Sequence, residues 1–256
     1  MINLLDHGSL SLVESWGSDE RIIEAARMST AKGFLGWGPK TVCADCAAES
    51  ADAHGAPPCG HTRYSNNVPG DEKLLRFLYE NKHATPFEMV GMVIEVKAPV
   101  FVCREWHRHR TQSYNEMSAR YVPLRDENYI PSVERLMIGS DGKNKQAGTI
   151  AGAGVLTVEG AERFRAALGS MYEWQEGLYQ TALATGVPKE LARIHLPVGR
   201  YSRMSASANL RNWLGFLSLR MAPGAQWEIR QYANAVGSLI AESFPRTWAL
   251  FEEGRG

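Results

Sequence analysis

The passage from residue 89 to residue 121 constrains the fold most. Val90, Met92, Ile94 and Val96 alternate with Gly91, Val93, Glu95 and Lys97. That period of two predicts a long strand over Met89 to Val102 with one face in the core. Pro99 interrupts it, as an edge position or a bulge tolerates. Arg104-Glu105-Trp106-His107-Arg108-His109-Arg110 follows at once, then Ser113, Asn115, Glu116, Ser118, Arg120 and Tyr121. Planar cations and short polar groups at this density cannot be core, and strand ends commonly carry binding groups. A short helix, then a turn, then an anion-lined site is expected.

Composition narrows the class. The 256 residues suffice for a real core, and 28 basic residues balance 28 acidic ones to a formal net charge of zero. A nucleic-acid binder ordinarily carries a basic excess, so the arginines read as a local site. Residues Met1 to His7 do not resemble a signal peptide, and no stretch approaches the ~18 apolar residues of a membrane span. A cytoplasmic globular protein is expected, with neither membrane nor nucleic acid as partner.

Around the central passage, Leu10 and Leu12 suggest a first strand ending near Trp16. Ser18-Asp19-Glu20 opens a helix through Ile22 and Ile23 to about Ser29. Periodicity is lost from about Lys32 to Gly70. Asp71 is expected to cap a helix with Leu74, Leu75, Phe77 and Leu78 on its apolar face, ending near Lys82-His83. Residues 131–156 read as loop. A long helix follows from about Glu159 to Ala184, with Phe164, Leu168, Met171, Leu178 and Tyr179 inward. Pro188 starts another helix, Tyr201 to Ala208 a strand, Asn209 caps a helix over Leu210 to Met221, and a last helix begins near Ala225. With no repeat and no clear linker, one α+β domain over 1–256 is expected.

Forked guanidiniums at Arg108 and Arg110 around His109 match phosphate oxygens bidentately, so a nucleotide or dinucleotide is the natural guest. Glu116 can accept from a ribose hydroxyl, and Ser118 with the amides near Ala119 can bind phosphate in a turn. A salt-bridged surface helix is the plainer alternative. Ser118 lacks a readable His–acid pair, and Cys103 sits in an apolar stretch that raises a thiol's pKa. Neither is expected to act as a covalent nucleophile.

Arg108-His109-Arg110, seven residues, then Ser118 resembles the signature of the flavin-dependent thymidylate synthases (the ThyX family). Ser113, Asn115-Glu116 and Arg120-Tyr121 extend the match. Ala26-Arg27-Met28-Ser29, His83-Ala84-Thr85-Pro86-Phe87-Glu88, Asn144-Lys145-Gln146, Ala192-Arg193-Ile194-His195-Leu196-Pro197, Asn209-Leu210-Arg211, Leu219-Arg220 and Ala225-Gln226-Trp227-Glu228 follow in the family's order. The resemblance implies a mixed or antiparallel sheet packed by helices, the fold of thymidylate synthase complementing proteins. It implies a homotetramer and methylation of dUMP to dTMP, with methylenetetrahydrofolate as carbon donor and FAD reduced by NADPH.

By the same resemblance Arg220 is catalytic, stabilising charge on the pyrimidine. Glu105, Arg108, Glu116, Ser118, Arg120, Arg193 and Arg220 surround dUMP. Ser29, His83, Thr85, Arg108, His109, Arg110, Glu116, Asn209 and Arg211 surround FAD. Plainer readings stay open: Arg193 pairing with Glu190, Asn209 as a simple N-cap, and His83 as a helix C-terminal cation. Met89, Gly215 and Gly224 depart from the family pattern near the flavin. A flavin- and folate-dependent pyrimidine nucleotide hydroxymethylase is therefore the alternative, and a nucleic-acid-binding zinc-knuckle protein a distant third. Within the 32–70 insertion, Cys43, Cys46, Cys59 and His61 have the spacing of a structural zinc site, the alternative being incidental thiols.

Overall fold

The computed structural model describes residues 1–38, 40–43, 64–68, 70–139, 150–151 and 156–255. Strand β1 (Ile2–Leu4) leads into β2 (Gly8–Trp16). The Ser18 hydroxyl caps α1 (Asp19–Arg27), accepting from the Arg21 amide at 3.4 Å, as the sequence predicts. Inside the segment expected to be loop, β3 (Lys40–Cys43) and β4 (Tyr64–Val68) pair antiparallel. Next come α2 (Asp71–Glu80), α3 (Ala84–Glu88), β5 (Gly91–Pro99), α4 (Val100–Trp106) and β6 (Ser113–Glu116). Then follow α5 (Val133–Leu136), the two-residue strands β7 (Ile138–Gly139) and β8 (Ile150–Ala151), and α6 (Val158–Ala184). The chain finishes with α7 (Lys189–Ala192), β9 (Tyr201–Asn209), α8 (Leu210–Arg220), α9 (Trp227–Ser243) and α10 (Pro245–Glu253).

The residues pack as two compact units. One comprises Met1–Ser15, Met92–Ala208 and Asn212–Leu239, the other Trp16–Gly91, Asn209–Arg211 and Ile240–Gly256. The first unit holds a five-stranded sheet in the order β1-β2-β5-β9-β6, antiparallel at both edges. The alternation read from sequence holds: Met92, Ile94 and Val96 are fully buried, with Leu10, Met204 and Ala206 beside them in the core. Trp213, Phe216, Leu217, Ile229, Tyr232 and Val236 supply the helical side of that core. Trp213 Nε1 donates to the Met92 carbonyl at 3.1 Å, tying α8 to β5. Gly8 is required there, because a Cβ would lie 2.1 Å from the Tyr232 hydroxyl. Pro99 ends β5, and its chain continues directly as α4.

In the second unit, Asp19 of α1 caps α10. Its carboxylate accepts from the Arg246 amide at 2.8 Å and from the Thr247 amide and hydroxyl at 3.2 and 2.6 Å. Two expectations are corrected here. Gly70, not Asp71, is the N-cap of α2. The Asp71 carboxylate instead accepts from the Leu35 and Gly36 amides at 2.6 and 3.1 Å and pairs with Arg27. Phe77 points outward while Leu75 and Leu78 are buried.

The inward face assigned to α6 holds at Tyr179 and is corrected at Phe164, Met171 and Leu178. Ala161, Tyr172 and Tyr179 are its buried residues, whereas Phe164, Met171, Trp174 and Leu178 stand in solvent. No helix among the described residues is long and apolar enough to cross a membrane.

Candidate active site

Helix α4 and the turn after it present the arginine-rich stretch at the end of β5. The turn is fixed from beneath. The Tyr114 hydroxyl lies 2.8 Å from the His109 carbonyl, 3.1 Å from the Trp106 carbonyl and 3.2 Å from Gln112 Oε1. Burial pushes the Tyr114 pKa up to about 12, so this hydroxyl keeps its proton. Gln112 Oε1 also accepts from Trp106 Nε1 at 3.0 Å, and Trp106 stacks on Phe216 with ring centroids 4.7 Å apart. On this base Arg104, Arg108 and Arg110 are exposed, with no ion-pair partner among the described residues.

Arg220, the last residue of α8, meets the same turn. Its Nε donates to His109 Nε2 at 2.9 Å, its Nη2 to the Glu105 carbonyl at 3.1 Å, and its Nη1 lies 3.4 Å from Glu105 Oε2. His109 is therefore neutral, with its proton on Nδ1. Burial, then the Arg220 charge, push its pKa down to about 4. A guanidinium has five N–H donors, so two remain for another acceptor. The structure thus brings Glu105, His109 and Arg220 together.

A second group forms around Ser118. Glu116, on β6, accepts from the Ser202 hydroxyl at 2.6 Å across to β9. Ser118 Oγ accepts from the Arg120 amide at 3.3 Å, and the Tyr121 amide donates to the Ser118 carbonyl at 3.0 Å. Helix α7 closes on this turn: Lys189 Nζ donates to the Tyr121 carbonyl at 2.8 Å, and Arg120 Nε lies 3.8 Å from Glu190 Oε2. Glu190 thus pairs with Arg120 and not with Arg193. Arg193 is the C-cap that follows α7, three residues after Glu190. Its guanidinium has no partner among the described residues. No hydrogen bond or ion pair among the described residues joins the Ser118 group to the Arg220 group.

The remaining residues assigned to the flavin lie in the second unit. Ser29 is exposed, its hydroxyl donating to the Ala26 carbonyl at 3.2 Å. Thr85 is exposed on α3, and His83 is the residue that precedes α3, its ring tilted against Phe77 at 5.5 Å. Arg211 pairs with Glu88 at 2.9 Å, and Asn209 is the last residue of β9. Cys103 is buried and its thiol is pushed up to about 12, first by burial and then by the Glu116 charge, which favours the protonated thiol. Ser118 has no histidine partner among the described residues. Cys46, Cys59 and His61, like Asn144-Lys145-Gln146, lie outside the described residues, as does the side chain of Cys43.

Sequence reasoning missed Ser202, Lys189, Asp126, Glu176 and Arg200. Arg200 is buried and pairs with Asp126 at 2.8 Å and with Glu176. Nothing in its local sequence marks it, because its partners stand 74 and 24 positions away.

The family model described as thymidylate synthase complementing protein matches residues 11–246. A flavin-dependent thymidylate synthase of Thermus thermophilus is 38% identical over 255 residues, which cover 98% of this chain and 78% of that protein. One from Thermosipho africanus is 33% identical, covering 97% of this chain and 92% of the other. Among solved structures, a UMP/dUMP methylase, PolB, from Streptomyces cacaoi bound with 5-Br UMP superposes with a TM-score of 0.74. It is 29% identical, covering 98% of this chain and 96% of that one.

Proposed function

The chain belongs to the thymidylate synthase complementing protein family, that of the flavin-dependent thymidylate synthases, and from that premise we propose that it methylates dUMP reductively to dTMP. Methylenetetrahydrofolate is the carbon donor and NADPH the reductant. The residues fit the flavin: Arg108 and Arg110 offer forked donors that no other charge in the described residues uses, the set a dinucleotide pyrophosphate needs. Arg108, His109, Arg110 and Glu116 would hold it; Ser29, His83, Thr85, Asn209 and Arg211, which the resemblance also assigns to the flavin, belong to the second unit. Bound there, FAD supplies the hydride that passes from NADPH to the transferred carbon.

The anchoring of Arg220 supports this reading most. Three of its donors are committed to His109 and Glu105, so the fork is fixed in direction, and two donors remain. Aimed at a pyrimidine carbonyl, they stabilise the negative charge that develops as C5 turns nucleophilic. Because His109 accepts from Arg220 rather than carrying a charge, it orients the guanidinium without repelling it. Ser118, Arg120 and Arg193 take the nucleotide phosphate, and Glu116 a ribose hydroxyl. Cys103, buried as a thiol, takes no part as a nucleophile.

Assembly belongs to the same reading. Phe164, Met171, Trp174 and Leu178 recur at seven, three and four residues, one exposed stripe along α6. A stripe of this kind marks a protein-binding surface. The protein assembles as a homotetramer through it, and a neighbouring subunit completes each nucleotide site.

Arg220→Ala should lower kcat on the order of 10²–10³-fold, the usual cost of removing one charge-stabilising donor group. Unchanged kcat would remove Arg220 from the chemistry. One observation favours a second substrate: the Streptomyces relative is a UMP/dUMP methylase. Comparing kcat/KM for UMP and dUMP separates the two. A hydroxymethylated product, heavier by one oxygen, would mark the remaining alternative.

A further inference from the structure

We propose that Arg200 is a positioning residue for substrate phosphate, a buried cation that holds Arg193 and the Ser118–Arg120 turn in one arrangement; this rests on the dUMP reading above. Arg200 is only 1% exposed, and a guanidinium so buried must be paired. Its two acidic partners come from two different stretches of the first unit. Asp126, at 2.8 Å, lies six residues after Arg120, and Glu176 lies on α6. The Arg200 ring-like fork also lies over Tyr179 of α6, 5.9 Å from the ring centroid.

The neighbouring residue on α6 grips the other end of the same loop. Gln175 Nε2 donates to the His195 carbonyl at 3.2 Å, and the His195 ring Nε2 donates to the Gln175 carbonyl at 2.9 Å. Residues 175 and 176 therefore hold the 195–200 loop at both ends, and that loop follows directly from Arg193. Backbone bonds seat the loop further: the Val100 amide donates to the Arg200 carbonyl at 2.9 Å, and the Tyr201 amide to the Glu127 carbonyl at 2.9 Å. On the opposite side, Lys189 and Glu190 contact Tyr121 and Arg120. Arg200 adds a side-chain tie to the backbone bonds, joining Asp126 in the segment after the Ser118–Arg120 turn to Glu176 of α6. Of its two ion pairs the one with Glu176 is shielded from water on both sides, while the Asp126 carboxylate is half exposed, so the Glu176 pair is the firmer hold. No hydrogen bond or ion pair among the described residues links this network to Arg220, so it bears on substrate binding and not on the chemical step.

Asp126→Asn and Glu176→Gln test this in the flavin-loaded protein, each alone and combined with Arg193→Ala. Each single change should raise the KM for dUMP about tenfold with kcat within about twofold. In the Arg193→Ala background the same change should add less than about twofold, because its effect is transmitted through Arg193. An unchanged KM, a parallel fall in kcat, or a full penalty in the double variants overturns the proposal. Hydrogen exchange gives a readout independent of substrate: amides of 118–125 and 189–196 should lose protection in Glu176→Gln while β5 keeps it. If the parent protein binds no dUMP, the dUMP reading fails by itself, and unaltered exchange in Glu176→Gln then overturns the positioning role separately.

Discussion

His109 ties stability to pH through the bond it accepts from Arg220. Its folded pKa is about 4 against an ordinary 6.5, so between those values the unfolded chain takes up the proton that the folded one refuses. The stability His109 contributes is therefore complete above pH 6.5 and lost as pH falls toward 4. Thermal unfolding of the parent protein should weaken across that window more steeply than that of His109→Gln; equal slopes would mean the imidazole is not held neutral. At this scale the sequence was informative where chemistry is local. Arg108, His109 and Arg110 declare themselves by density, and Cys103 by its apolar neighbours. Arg220 pairs with residues more than a hundred positions away, so the sequence did not show its partners, and only a role for it came from the family resemblance. Arg200 was not visible at all, since burial of an arginine depends on distant carboxylates.

Among the elements, the strands were legible where one face is buried. The alternation over 90–96 names β5 and its core face, and Ser18 names the start of α1. Strand β6 escaped notice because Ser113, Asn115 and Glu116 are exposed and carry no apolar period. Helix α10 escaped because Pro245 reads as a breaker, although at a first helical position it costs nothing. Helix α6 teaches the converse lesson. Periodicity locates an apolar stripe, but not whether the same chain or another covers it. Element stability offers its own test at Gly215 in α8, where an added Cβ meets open space. Gly215→Ala should stabilise the fold by roughly 0.5–1 kcal/mol in urea unfolding, through helix propensity and the unfolded chain's entropy. A loss of stability would show that some neighbour needs that space.

For the whole molecule, the two groups of site residues in the first unit set the terms. One contains Glu105, His109 and Arg220, the other Ser118, Arg120 and Arg193, and the proposed nucleotide site draws on both. On the proposed reading self-association would supply the missing half, and the α6 stripe is where that is tested. Trp174→Glu should reduce the mass in sedimentation equilibrium from tetramer to a smaller species and depress activity with it. A full-mass tetramer carrying Trp174→Glu would place the interface elsewhere. The central claim is the reaction itself. The most direct measurement is mass spectrometry of the nucleotide formed from dUMP, methylenetetrahydrofolate and NADPH by the purified, FAD-loaded protein. The account predicts a yellow protein whose flavin spectrum shifts on adding dUMP and whose product has the mass of dTMP. A colourless protein that refuses FAD, or a product carrying an extra oxygen, would contradict it.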